Sequence, residues 1–357
     1  MKKRTLSLLL AVACALSLSG CGGAPAPDAQ TSAPAGSETP AAVDQTREIV
    51  FAASRDQCPG EQDAYYASMS LGVWEPLITK DESGKPAPAL ATEWEHNEDS
   101  TVWTFHLREG VTFSNGTPFN ADSVLANFDR MKKGPFESSF YGMNIDTIYP
   151  GLVSHEKTDD YTVVLTLSEG QPLLDYTMVN YGSAIFEPSC FAEDGTFAGF
   201  PIGTGPYMLK DWTQGSSLTL EANPYYRVEG MPKTKEIKYV LIADDNTRLM
   251  QLQSGQIDVA PTFPFSLAQG VESNEALALD IFPSTQIYYL TVNTTKPPFD
   301  DVKVRQALYY ALNKSELASA IAGEYGTPVA AIVSETQGDW CNTDLQVTEY
   351  APDTAKQ

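Results

Sequence analysis

"KEIKYVLIADDNTRLMQLQSGQIDVA", residues 235–260, decides the class of fold. It opens as a strand, and Asp245 then stands where a helix N-cap belongs. A short helix follows, Gly255 ends it at the C′ position, and a second strand begins. Strand, helix, strand is a βαβ unit. Such a crossover joins parallel strands, so the chain is expected to be α/β.

Working outward, the neighbouring segments keep the mixed pattern. "TVWTFHLREGVTF", residues 101–113, alternates cleanly, with Trp103, Phe105 and Leu107 on one face of a half-buried strand. An Asn115-Gly116 turn and Asn120 as N-cap introduce a helix with Val124, Leu125, Phe128 and Met131 on one stripe. "YTVVLTL", residues 161–167, is a second alternating strand, and "GTGPYMLKDW" and "SSLTLEANPYY" read as a strand pair. Nearer the N-terminus, "EIVFAAS", residues 48–54, is a strand, and "SMSLGVWEPLIT", residues 68–79, reads as a helix passing into a strand. "IYYLTVN", residues 287–293, is a further strand, followed by a Pro-Pro turn and two helices. Val304, Ala307, Leu308, Ala311 and Leu312 form the apolar stripe of the first of these helices, and Asn313 with Glu316 opens the second as a capping box. Trp74, Trp94, Trp103 and Phe105 are assigned to the core.

The N-terminus has another character. Lys2, Lys3 and Arg4 precede an apolar run, residues 6–18, that is too short to span a bilayer and reads as an export signal. It ends at Leu18-Ser19-Gly20-Cys21, which resembles the lipobox of bacterial lipoproteins, where the cysteine is acylated. The plain alternative is a secretory signal that happens to contain a cysteine. Residues 21–48 are almost free of large apolar side chains and read as a flexible tether behind signal residues 1–20.

Composition excludes several classes. The chain has 23 basic against 46 acidic residues, a formal charge of −23. So acidic a protein is not expected to bind nucleic acid or a membrane through a polybasic patch. Cys58, Cys190 and Cys341 share no close spacing, so neither a disulfide framework nor a zinc site is indicated, although one disulfide stays open. His96, His106 and His155 are isolated, and no direct metal site and no cofactor is expected. There is no G-x-S-x-G, no H-E-x-x-H and no P-loop, so an enzyme is not expected.

Three blocks then carry a resemblance: residues 90–124, "LATEWEHNEDSTVWTFHLREGVTFSNGTPFNADSV"; residues 201–227 joined to 236–260; and residues 288–323. In that order they resemble the extracellular solute-binding proteins of peptide and nickel ABC transporters, family 5. The resemblance implies a type II periplasmic-binding-protein-like clamshell of two lobes, with an extra subdomain in lobe one. Lobe one is expected to hold residues 49–74 and 201–283, the subdomain 75–200, and lobe two to begin at 284. It further implies capture of an oligopeptide or a nickel chelate between the lobes, delivery to permease subunits, a monomer, and a location on the outer face of the cytoplasmic membrane or in the periplasm.

"VTFSNGTPFNADSVLANF" and "PIGTGPY" are most similar to the nickel branch, yet residues 180–185 lack the arginine with which that branch clamps its chelator. Arg55 is the alternative anion holder, because a guanidinium fork matches a carboxylate; its plainer reading is a surface residue or an ion pair with Asp56 or Glu61. Tyr65, Tyr66, Phe136, Phe140, Tyr141 and Tyr181 are aromatic ligand candidates, each with the alternative of an ordinary core residue. A receptor feeding a sensor and a cell-surface hydrolase are the competing functions. "YAPDTAKQ" resembles the start of a family helix, so the second lobe is expected to be incomplete, with Val304, Leu308 and Leu312 under-covered and affinity reduced.

Overall fold

In the computed structural model, residues 47–56, 71–134, 145–179 and 183–357 are described, and all lie within the unit Asp44–Gln357. The run at 48–54 forms β1, Ile49–Ala53. A two-residue β2, Glu75–Pro76, and a short ribbon pairing Ile78–Lys80 with Pro86–Pro88 lead into β3, Ala91–His96, and β4, Val102–Leu107. Helix α1, Ala121–Met131, is followed by β5, Leu152–Asp159, and β6, Thr162–Leu167. These four strands make an antiparallel sheet in the order β3-β4-β6-β5.

The alternation in β4 and β6 sets which face is buried. Phe105 pairs with Val163 and Trp103 with Leu165, and all four side chains are at most 1% exposed. Val124, Phe128 and Met131 of α1 bury against the same core. Fully burying each large apolar side chain is worth about 1.5–3 kcal/mol, so this layer is the main cohesive element of residues 77–185. Asn120 caps α1 as expected, its side chain accepting from the Ser123 N–H. Trp74 and Trp103 are buried, and Trp94 packs half-buried against the sheet.

A short helix α2, Leu174–Met178, and β7, Ala184–Ile185, which pairs with β2, bring the chain back. Its return crosses its outward path at "GTG". A Cβ on Gly203 would lie 2.2 Å from the Val73 carbonyl oxygen, and one on Gly205 2.3 Å from that of Gly72. Only glycine lets these backbones approach so closely, and the Gly205 N–H donates to the Val73 carbonyl at 3.0 Å.

The second sheet follows. β8, Tyr207–Thr213, and β9, Ser217–Ala222, are the expected antiparallel pair, and β10, Glu236–Leu241, lies between β9 and β1. β1 and β10 run parallel, Ile49 beside Ile237 and Ala53 beside Leu241. The βαβ reading holds with two corrections. Helix α3, Asp245–Gln253, is capped by Asp244 rather than Asp245, because the Asp244 carboxylate reaches the Thr247 N–H three residues on. Asp245 instead pairs with the buried Arg248. The returning strand shrinks to a parallel bridge between Val259 and Phe51, with Asp258 N–H donating to Val50. Pro261, which lacks an N–H, and Thr262 at φ +54° turn the chain away immediately afterwards. Gly255, at φ +71°, ends α3 where the sequence indicates.

Beyond helix α4, Ala268–Glu272, helices α5, Val302–Ala311, and α6, Lys314–Ala322, form as expected. Asn313 caps α6 by accepting from the Glu316 N–H. The strand expected at 287–293 does not form, and Tyr288, Tyr289 and Leu290 are 66–74% exposed. A strand needs a neighbour for its backbone groups, whereas a helix satisfies its own. Val304, Leu308 and Leu312 are half-buried. Among the described residues no helix is long and apolar enough to cross a membrane.

Candidate functional site

Parallel strands gather their carboxyl ends on one edge, and in open α/β sheets ligands bind in the crevice outside that edge. Here β1 ends at Ala53 and β10 at Leu241, side by side. A small hollow opens at that edge, lined by Arg55 and Asp56 after β1, Ser216 and Ser217 at the β8–β9 turn, and Tyr239 of β10.

Three of the lining groups have definable roles. The Asp56 carboxylate accepts from the Gly215 N–H at 2.6 Å and the Trp212 indole N–H at 3.4 Å, so it fixes the β8–β9 turn against the end of β1. The Tyr239 ring stacks on Phe51 at 5.1 Å, and burial, with a smaller contribution from Tyr207, pushes its phenol up to about 12. It therefore stays neutral. Arg55 is exposed and carries a permanent positive charge. A guanidinium fork can take a carboxylate or another planar anion, and at this edge it stands beside the Asp56 carboxylate, which bears the opposite charge.

Of the sequence candidates, Arg55 falls at this edge. Tyr65, Tyr66, Phe136, Phe140, Tyr141 and Tyr181, and the lipidation candidate Cys21, lie outside the described residues. Sequence reasoning missed Asp56 as a turn anchor and Tyr239 as a wall. The signal for Tyr239 was available: in "EIKYVLI" it shares a strand face with Ile237 and Leu241, next to the point where the strand ends.

Other polar groups are structural. Glu75 and Arg227 form an ion pair at 2.6 Å, and Arg130 lies buried over the Phe197 ring at 4.1 Å. His155, isolated in sequence, has partners in the fold: its ring nitrogen lies 2.9 Å from Asp129 and its ring stacks on Phe128. Cys190 and Cys341 are both free thiols. Burial pushes Cys190 up to about 11, which leaves it a poor nucleophile. Among the described residues no three His, Cys, Asp or Glu side chains group in a way that could hold a metal ion.

Comparison with known proteins identifies the family. The sequence model for the bacterial extracellular solute-binding proteins, family 5 (middle region), matches residues 85–357. The glutathione-binding protein GsiB of Shigella boydii is 32% identical over 272 residues, 76% of this chain and 52% of that protein. GsiB of Escherichia coli K12 is 31% identical over the same share. The chain thus spans about half the length of these curated relatives. Among solved structures, NikA from Brucella suis in complex with Fe(III)-EDTA superposes with a TM-score of 0.72 at 23% identity, covering 87% of this chain and 63% of that one. DppA from Helicobacter pylori in complex with the peptide STSA gives 0.71 at 22%, covering 87% and 65%. HbpA2 from Haemophilus parasuis gives 0.72 at 27%, covering 87% and 66%. The fold is that of the type II periplasmic binding proteins, and the chain belongs to family 5 of the bacterial extracellular solute-binding proteins, a family of binding proteins and not of enzymes.

Proposed function

We propose that this protein is the solute-capturing component of an ABC importer, and that its solute is a short peptide or peptide-like acid whose carboxylate rests on Arg55. The observation that carries the reading is the family match over residues 85–357 in a chain whose parallel strands end at a hollow beside a guanidinium. The glutathione-binding relatives, 31–32% identical over 272 residues, support a peptide-like solute. In this reading residues 49–74 and 201–283 build the first lobe, 75–200 its subdomain, and 284–357 belong to the second. Tyr65, Tyr66, Phe136, Phe140, Tyr141 and Tyr181 contribute aromatic wall.

The lipid is carried on Cys21, and residues 21–48 are the leash that keeps capture and delivery effectively intramolecular. The partners are the permease subunits and the solute itself, with the binding protein acting as a monomer on the outer face of the membrane.

The test is calorimetric titration of the mature chain with glutathione, with di- to pentapeptides, and with nickel plus histidine. Saturable binding of glutathione or a peptide is expected, and Arg55→Ala should weaken it roughly 10- to 100-fold, the worth of one hydrogen-bonded charge pair. Binding of the nickel complex alone would transfer the assignment to metal uptake. Chemical conversion of a bound solute would end the binding-protein reading.

A further inference from the structure

Residues 323–341 touch three places that are far apart in sequence. Near the start, the Tyr325 hydroxyl donates to the Glu272 carboxylate at the end of α4, and its ring stacks on Phe265 at 5.6 Å. In the middle, the hydroxyls of Ser334 and Thr336 both donate to the Ser284 carbonyl, at 3.0 and 3.4 Å. At the end, the Trp340 ring meets Tyr176 of α2 edge-on, with centroids 5.4 Å apart and planes at 78°.

These attachments differ in strength. Tyr325 is held by a bond to a charged group and by a stacked ring, and Ser334 is buried. Trp340 meets α2 through a ring edge and remains 52% exposed. The edge contact itself favours the docked form by about two- to tenfold, beyond the area it buries. The surface it lands on is fixed: Leu174 and Met178 of α2 are buried, and the Trp94 indole N–H donates to Asp175 at 3.4 Å. The tip itself is preshaped. Gly338, at φ +56°, turns the chain, and the Cys341 thiol donates to the Val333 carbonyl at 3.2 Å, closing the loop that presents Trp340.

We propose that residues 323–341 form a strap, anchored at Tyr325 and Ser334, whose Trp340 tip alternates between docked on Tyr176 and free in solvent. Its purpose rests on the capture reading above. A solute that prefers the docked form shifts the tip toward α2 and fastens residues 323–341 over the segment that precedes them.

The experiment is fluorine NMR of the mature chain grown with 5-fluorotryptophan. The Trp340 signal is assigned by Trp340→Phe, and the other four tryptophans serve as an internal check of folding. Tyr176→Ala should move the Trp340 signal to its solvent position and leave the rest in place, while Tyr176→Phe, which keeps the ring, should leave it unmoved. If Ala disturbs the other signals, Tyr176→Leu takes its place. A Trp340 signal that ignores both losses of the ring overturns the strap. Added glutathione should raise the docked population at least about twofold. Glutathione that binds by calorimetry yet leaves the Trp340 populations unchanged overturns the strap as a closing device. If no peptide binds at all, the capture reading fails, while the Tyr176 variants still decide whether the tip docks.

Discussion

Tyr239 sits where phenolate is poorly solvated, and its folded-state ionisation near 12 lies above the ordinary 10.0. Because the neutral form is the one the fold favours, its stabilising effect is complete below pH 10 and is lost as pH rises from about 10 towards 12. Phenolate absorbance of the wild type minus Tyr239→Phe should therefore titrate near 12; a difference curve centred at 10 would contradict the burial argument. The two described thiols should separate in the same way. Cys190 is buried, accepts from the Ile202 N–H at 3.2 Å and is pushed up to about 11, while Cys341 is half-buried. At neutral pH an alkylating reagent should reach Cys341 first and Cys190 only on unfolding, read by peptide mass mapping. Equal rates would mean that the Cys190 pocket opens in the native state.

At the level of elements, the position of a cap can be tested directly. Asp244→Ala should cost about 1 kcal/mol of stability in urea, the usual price of a lost N-cap. The sequence suggested Asp245 because two aspartates stand together, and no local rule separates them. What separates them is the buried guanidinium of Arg248, which takes Asp245 as its partner. Gly203→Ala should cost about 1–3 kcal/mol through backbone overpacking, whereas Gly199→Ala, which meets open space, should be nearly neutral. Alternation and capping were legible from residues alone: Trp103, Phe105, Val163 and Leu165 face inward, and Asn120 and Asn313 cap their helices. The failures share a cause. "IYYLTVN" carries strand propensity, but pairing is decided by a partner elsewhere in the chain, which no local pattern encodes. The hollow at Arg55 was half legible for the same reason. Its cation and the adjacent Asp56 follow a visible strand, but Ser216 and Tyr239 meet them only through sheet order.

For the molecule as a whole, the two sheets close over very different spans of chain. The sheet of β3 to β6 is built entirely within residues 91–167, whereas the β1–β10 pairing joins Ile49 to Ile237. Distant pairings form late because the intervening loop must first be closed. Pulse-labelled hydrogen exchange during refolding should protect β4 and β6 before β1 and β10, and simultaneous protection would refute the order. The crossing at Gly203 and Gly205 has a different kind of consequence. The chain departs at Val73 and comes back beside the same residue, with the Gly205 N–H on the Val73 carbonyl. Everything between is a pendant that leaves and returns at one clasp, its two ends already side by side, and it touches the rest again through Glu75–Arg227 and Tyr176–Trp340. Evolution can exchange such a pendant for another without restringing the parallel sheet, and an engineer could splice a fluorescent reporter into the same clasp.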